Sequence, residues 1–431
     1  MKRDLRNLKL LCCLAAVAVV GCDKVDPPAF RLNMVEAVSN ETAPEYQQEI
    51  SNVLGAMFGT PDEPYALPET GLDLGRLRLA AGAAWSDEAG SSHGLYRRHC
   101  VHCHGITGDG RGPTARFLNP YPRDYRPAVY KFKSTYLNAK PTDEDLLRVL
   151  VNGVPGTAMP SFSLLPNSEV EALIEYVKYL SMRGQMETEL ILYVYNDLGE
   201  EEAEDENGEP ILDPNGEPVM RRIRFDPEND AEQREVILEI LTEVVEGWNG
   251  ANDQIIVPEE EQIPDDDRSP EEVAASIVKG RELFYGTKAN CVKCHGPTGL
   301  GDGQQDDQDN WNKAHKEFLE TLARETDPAI KSAKEEVAAT LYPVRNSIPR
   351  NLRKGVYRGG RRRIDVFWKI YTGMAGTPMP GLGPASAGAT GTLTEQEMWN
   401  IVDYVLSLPY ETPSQPQKTL PKNPNAISSA G

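Results

Sequence analysis

Two stretches of the chain place apolar residues at helical spacing directly behind a polar start signal. SEVE, residues 168–171, opens EALIEYVKYL, and TEQE, residues 394–397, opens MWNIVDYVLSL. A serine or threonine followed three residues later by glutamate is a capping box, and apolar residues three and four apart line one face of a helix. Tyr176 and Tyr404 correspond, each followed by valine. We predict two equivalent helices, each packing on the first helix of its own half of the chain.

Three further segments have helical patterns. TDED, residues 142–145, precedes LLRVLVNGV, and SPEE, residues 269–272, is another capping box. AEQREVILEILTEVVEGW has the spacing of an amphipathic helix. In GRELF, Gly280 and Phe284 stand four apart, which would let this helix cross another closely at the glycine. SHGLY, which ends at Tyr96, lies at the matching offset in the first half, so Ser92 replaces the glycine there.

Acidic residues concentrate between the two halves. Residues 196–268 hold 25 Asp and Glu against 5 Arg, a net charge of −20, whereas the whole chain of 431 residues carries −21. The repeated NGEP predicts turns around a short hairpin, and PEEEQIPDDDRSP resembles a stiff, charged linker. Nucleic acid is excluded as a partner, because phosphate binding needs clustered Lys and Arg.

The first residues have the pattern of an export signal. Basic residues precede an apolar run from Leu10 to Gly21, which is too short to span a bilayer as an anchor. VVGC at its end resembles the lipobox of bacterial lipoproteins, which would make Cys22 the lipidated first residue of the mature chain. The alternative is an ordinary cleavable signal in which Cys22 is incidental. No later apolar run reaches membrane-spanning length.

Two short motifs carry the candidate chemistry. CVHCH comprises Cys100, Cys103 and His104, and CVKCH repeats the same pattern at residues 291–295. C-x-x-C-H is the attachment signal for c-type haem, in which the two thiols bond the vinyl groups and the histidine ligates iron. A zinc half-site or a redox dithiol is the alternative, but neither motif has a second cysteine pair near it to complete a zinc tetrahedron.

A Gly-rich loop that presents one methionine follows each motif. GVPGTAMPSF holds Met159, 55 residues after His104, and GMAGTPMPGL holds Met379, 84 residues after His295. Aligning the two loops pairs Met159 with Met379 and Val154 with Met374, which demotes Met374 as a rival. A methionine opposite the histidine raises the reduction potential of haem. We interpret Met159 and Met379 as axial ligands rather than core filler.

This order of elements resembles the class I c-type cytochromes in both cysteine-bearing halves. The resemblance implies a mainly α fold of two such domains in tandem and two covalently bound haems, with Cys100, Cys103, Cys291 and Cys294 as attachment sites and His104 and His295 as iron ligands. PRDYRPAVYK, residues 122–131, parallels PRNLRKGVYR, residues 349–358. By the same resemblance we propose Arg123 and Arg350 as propionate partners, with Arg126 and Arg353 as second choices; solvated arginines are the alternative.

The predicted organisation follows from these boundaries. It comprises residues 1–21 as a lipoprotein signal peptide, 22–75 as a tether with short helices, 76–184 as the first cytochrome c domain, 185–268 as an acidic insert with a hairpin and one helix, 269–411 as the second domain, and 412–431 as a flexible tail.

The second half is longer than the first between the haem motif and the Pro-Arg segment. His295 and Pro349 are 54 residues apart, whereas His104 and Pro122 are 18 apart. We predict a polar helical insertion in which His315 is solvated. The alternative is that His315, the one imidazole able to do so, contests a ligand position. His93, His99 and His102 lie too close to the first motif to reach its distal side and are assigned to the surface.

The resemblance implies a dihaem electron carrier, not an enzyme, attached by lipid to a membrane on the extracytoplasmic side. By analogy its partners are redox proteins, such as a haem-copper oxidase or a quinol-oxidising complex in a respiratory chain. The acidic insert is either a docking surface for a basic redox partner or, as we prefer, a solvated spacer. A dihaem peroxidase is the alternative function, although two Met loops would occupy both open iron positions. A structural lipoprotein with metal-binding repeats is a third.

Overall fold

The computed structural model describes residues 27–411, so the signal segment with Cys22 and the tail at 412–431 lie outside the described part. The fold is mainly helical, as predicted. The first half runs from the N-terminal helices to a long closing helix: α1 (Met34–Ser39), α2 (Pro44–Phe58), α3 (Leu74–Ala80), β1 (Trp85–Ser86), β2 (Ser92–His93), α4 (Leu95–His99), α5 (Val101–His104), α6 (Asp143–Asn152) and α7 (Asn167–Asn196).

The insert and the second half follow the same helical plan. They contain β3 (Glu200–Glu202), β4 (Met220–Arg222), α8 (Ala231–Asn249), α9 (Pro270–Tyr285), α10 (Val292–His295), α11 (Asn310–Arg324), α12 (Pro328–Ala338), α13 (Arg363–Thr372) and α14 (Glu395–Ser407). β1 pairs with β2 and β3 with β4, both antiparallel, and short 3₁₀ turns occur in several loops. The predicted hairpin and single helix of the acidic insert are therefore confirmed. No helix within residues 27–411 is long and apolar enough to cross a membrane.

Three of the four predicted polar helix starts form capping boxes. Thr142, Ser269 and Thr394 each accept a hydrogen bond from the backbone N–H three residues on, and the acid at that position bonds back. The fourth, at Ser168, is wrong. α7 begins at Asn167 with Pro166 as its N-cap, and the Pro166 carbonyl accepts the N–H of Glu169 at 3.0 Å. Ser168 therefore lies within the first turn.

The predicted close helix crossing is present in the second half. α9 packs on α14, and a Cβ added to Gly280 would lie 1.9 Å from the backbone oxygen of Asn400. Glycine is thus required for the approach. The predicted counterpart in the first half is wrong, because Ser92 lies in strand β2. There α3 packs on the closing helix α7 instead.

The acidic insert is more than a spacer. The apolar face of α8, which includes Leu241 and Trp248, belongs to the hydrophobic core of the first half. The Nε1–H of Trp248 donates to Gln185 at 3.0 Å. After α8, Ile256 joins the core of the second half, and its backbone N–H donates to Ser134 of the first at 2.9 Å. The preferred spacer interpretation is therefore wrong for α8 and the segment that follows it.

The insertion of the second half docks on the first half. Trp311 at the start of α11 packs on Tyr121 with ring centroids 5.1 Å apart, and Arg345 lies over the Tyr121 ring at 3.8 Å. Phe318 of α11 forms a small core with Val38 of α1. This segment thereby bridges the two halves.

Candidate functional site

Each C-x-x-C-H motif forms one helical turn. The backbone N–H of the histidine donates to the carbonyl of the first cysteine at 2.9 Å in both motifs, and the chain then leaves through Gly105 or Gly296 in the left-handed region. The single turn brings both thiols and the imidazole to one side of the backbone. Burial raises the pKa of the Cys100 thiol to about 12 and that of Cys291 to about 11. All four thiols are free of disulfides.

The two histidines have the same second partner. Nδ1 of His104 lies 3.0 Å from the carbonyl oxygen of Arg123, and Nδ1 of His295 lies 3.1 Å from that of Arg350. A carbonyl can only accept, so Nδ1 carries the proton and Nε2 keeps a free lone pair. Burial lowers the pKa of His104 to about 4 and also lowers that of His295. Both rings are therefore neutral and suited to ligate a metal.

The two Met loops have matching hydrogen bonds. Val154 N–H donates to the Met159 carbonyl at 3.1 Å, and Met374 N–H donates to the Met379 carbonyl at the same distance. In each loop a threonine hydroxyl accepts the methionine N–H, at 3.1 Å and 3.3 Å respectively. The loops therefore hold Met159 and Met379 in equivalent settings, and the structure pairs Met374 with Val154, as the sequence alignment did.

One cleft joins the predicted residues of the first half. Cys100, Cys103, His104, Met159 and Arg123 all line it. Its empty volume is about 1480 Å³, including space open to solvent. Apolar side chains from α6, α7 and the Met loop form part of its wall: Leu146, Val149, Leu150, Phe162, Ile174 and Val177. The His104 ring stacks on Tyr125, with centroids 4.6 Å apart. His99 and His102 line the cleft as well.

The four predicted arginines are in different situations. Arg126 makes a buried, two-pronged ion pair with Asp124, with Nη2 to Oδ2 at 2.7 Å, and Arg353 pairs with Glu411 at 2.9 Å. Both second choices are thus already engaged. Arg123 lines the first cleft, where burial lowers its pKa. Arg350 reaches across to the first half.

Arg350 and Arg123 each contact the Met loop of the other half. The Nη2 of Arg350 lies 3.4 Å from the Pro155 carbonyl in the first Met loop, and a Cβ on Gly156 would meet that nitrogen at 2.1 Å. Conversely, Nη1 of Arg123 lies 3.7 Å from the Cβ position of Gly376 in the second Met loop. Each Pro-Arg segment therefore packs on the Met loop of the other half.

The second half also supplies walls of the first cleft, which sequence reasoning missed. Asp309, Trp311, Asn312 and Arg358 line it. The sequence could have indicated Arg358 as a residue of the cleft, because it aligns with Lys131 at the end of the paired Pro-Arg segments. No sequence pattern indicated that α11 lines the cleft, since the first half has no helix that corresponds to it.

The prediction for His315 is wrong. It is 3% exposed, and its Nε2 accepts a hydrogen bond from the guanidinium of Arg111 at 3.0 Å. Burial, with the Arg111 charge, lowers its pKa to about 3, so the ring is neutral. His315 therefore fixes α11 on the first half. His93 is partly buried and stacks on Trp85 with centroids 4.2 Å apart.

The residues of the first cleft match the chemistry of haem. Thiols, a neutral imidazole and a thioether meet apolar walls there. Arg123, Lys131 and Arg358 line the cleft together with two carboxylates, of which Asp309 pairs with Lys131 at 3.2 Å and Asp124 pairs with Arg126. Such an excess of partly buried cations favours anionic groups in the cleft, and haem carries two carboxylates.

Comparisons with known proteins agree with these local features. The family model for cytochrome c matches residues 92–181 and 277–409, which together are more than half of the chain. No curated protein matched the chain. A chain of the Kuenenia stuttgartiensis reducing HAO-like protein complex is 22% identical, with 73% of this chain and 94% of that chain covered and a TM-score of 0.41.

Proposed function

Because the chain belongs to the cytochrome c family and contains two of its domains in tandem, we propose that it is a dihaem electron carrier with one haem per domain. The observation that carries the proposal is the repeated constellation of a C-x-x-C-H turn, a carbonyl-bound histidine and a Met loop. When bound, each haem supplies an iron that accepts and releases one electron.

In this proposal the residues of the chain hold and tune the iron. Cys100 and Cys103 would form the thioethers of the first haem, and the Nε2 of His104 and the sulfur of Met159 would ligate its iron. The Nδ1–H bond to a carbonyl orients the imidazole and raises its basicity. Sulfur from methionine favours the reduced iron and raises the potential. The second repeat does the same with Cys291, Cys294, His295 and Met379.

Redox titration with optical spectra tests the ligand roles. Met159→Ala should lower the potential of one haem and leave the other nearly unchanged, and Met379→Ala should do the reverse. Met374→Ala is the matched control, because Met374 lies in the same loop but aligns with Val154; it should change neither potential. If Met159→Ala and Met379→Ala alter no spectrum, the ligand assignment is wrong.

Covalent attachment is tested separately. Mass spectrometry of the mature, denatured protein should show two porphyrins bound to the polypeptide. A mass without them, after expression in a host able to attach c-type haem, would refute the proposal itself. Turnover of peroxide together with a high-spin haem in the reduced spectrum would instead favour the peroxidase alternative. Equivalent Met loops in both halves argue against that activity.

The cellular setting is a further part of the proposal. Lipid on Cys22 would hold the carrier at a membrane on the extracytoplasmic side, where it would pass electrons to or from a partner protein such as an oxidase or a quinol-oxidising complex. The support is the lipobox-like VVGC at the end of the apolar run. Cys22→Ser should release the protein into the soluble extracytoplasmic fraction; protein that stays with the membrane would count against lipidation.

A further inference from the structure

Three cationic side chains converge on the first cleft. Arg123 and Lys131 come from the first half and Arg358 from the second, and all three line the same space. Asp309 pairs with Lys131, and the other nearby acid, Asp124, is bound by Arg126. Since the charge of Asp124 is balanced by Arg126, only Asp309 offsets the three cations, and the cleft keeps an excess of two positive charges.

Arg358, like Arg123, lines the cleft without an ion pair among the described residues, whereas Lys131 is paired with Asp309. The Nε of Arg358 is buried without a hydrogen-bond partner within residues 27–411. Burial and the nearby Arg350 lower its pKa to about 10. An uncompensated guanidinium is costly to bury, so an anion in the cleft would stabilise this position.

The backbone fixes Arg358 against the first half. The next residue, Gly359, has φ of +74°, and a Cβ there would lie 2.4 Å from the ring of Phe132. Phe132 itself lines the cleft. Only glycine allows this contact, which brings the end of the second Pro-Arg segment onto the wall of the first cleft.

We infer that Arg358 binds a propionate of the first haem, so that the second domain completes the site of the first. This inference rests on the proposed function, since it needs haem in the cleft. The two unbalanced charges, on Arg123 and Arg358, equal the two propionates of one haem. Arg123 would hold one carboxylate from within its own domain, and Arg358 the other from across the interface.

Reduction of the first haem is then coupled to the second domain. A positive charge near the iron favours the ferrous state, which carries one charge fewer. Removing the Arg358 charge also leaves a propionate unneutralised beside the iron. Both effects act in the same direction and lower the potential of the first haem.

The test uses the mature protein with both haems attached. Arg358→Gln removes the charge, Arg358→Lys keeps it, and Lys354→Gln removes an exposed cation four residues earlier on the same segment. Optical redox titration of each variant gives two potentials, and the Met159→Ala variant identifies which of them belongs to the first haem. Circular dichroism and the potential of the second haem report whether the fold is retained.

We expect Arg358→Gln to lower the potential of the first haem alone, Arg358→Lys to restore most of the shift, and Lys354→Gln to change neither potential. An unchanged first haem in Arg358→Gln would overturn the inference. So would a shift of the second haem alone, which would assign Arg358 to its own domain. A protein without covalent haem gives no potentials at all, and that result refutes the proposed function instead.

Discussion

The close crossing of α9 and α14 requires that residue 280 have no side chain, as in glycine. Gly280→Ala would place a methyl carbon 1.9 Å from the Asn400 backbone oxygen and 2.9 Å from the Cβ of Tyr404. An ordinary contact begins near 3.4 Å, so the helices must separate by more than an ångström. Ser276, one turn before the glycine, donates to Asn400 and Asp403 at 2.8 Å and 2.6 Å, and separation would stretch these bonds too.

Two opposing effects set the magnitude. Alanine is favoured over glycine inside a helix by about 1 kcal/mol. Overpacking costs about 1–3 kcal/mol, and the upper end applies here because the obstructing atom belongs to the backbone and cannot rotate away. The net expectation is a loss of about 2 kcal/mol in the free energy of unfolding. For a unit of this size that lowers Tm by roughly 4–8 °C.

Calorimetry of the mature protein with both haems attached measures this effect. Gly55→Ala is the matched control, because Gly55 lies in helix α2 and a Cβ there meets nothing within 4 Å. It should gain about 0.5–1 kcal/mol from helix propensity alone. If Gly280→Ala unfolds at or above the wild-type temperature, the close crossing is not what requires glycine at this position.

Three further substitutions test other parts of the structure. Glu187 is fully buried and pairs with Arg183 at 3.0 Å. Glu187→Leu should lower the free energy of unfolding in urea by about 3–5 kcal/mol, and the double variant with Arg183→Met should recover most of that loss. Equal losses in the single and the double variant would reject the pairing argument. The pKa of His315 is about 3 in the folded protein against an ordinary 6.5, so the unfolded chain binds more protons between these values and stability is lost as the pH falls from about 6.5 towards 3. His315→Gln should therefore weaken the dependence on pH, between pH 7 and pH 5, of the free energy of unfolding in urea. An unchanged slope would contradict the burial of a neutral ring. Gly359→Ala should displace the second Pro-Arg segment from the first cleft and lower the potential of the first haem in a redox titration, as is expected of Arg358→Gln. An unaltered potential would mean that this contact does not position the arginine.

Helix capping and the close helix crossing could be predicted from the sequence because each depends on a short motif. Capping at Thr142 and Thr394 needs only residues three apart, and the closeness of α9 to α14 followed from Gly280. The error at Ser168 had a signal within the same pattern. Thr394 precedes Tyr404 by ten residues, and ten residues before Tyr176 is Pro166, where the helix in fact has its N-cap.

Contacts between the halves could not be predicted, because they depend on which surfaces meet. A polar helix such as α11 has the composition of a solvated element, yet His315 is buried by its fit against Arg111. The same limit applied to α8, whose charge suggested a spacer while its apolar face joined the core. Sequence patterns locate a buried face but do not name what covers it.

The packing of each Pro-Arg segment on the Met loop of the other half has a consequence for taking the molecule apart. Arg350 touches the loop of Met159, and Arg123 approaches the loop of Met379. A gene fragment ending after α7 would encode Cys100, Cys103, His104 and Met159 and still lack the arginine that packs on the loop of Met159. The two halves therefore do not stand as independent copies, and dissecting them would change the very properties such an experiment sets out to assign.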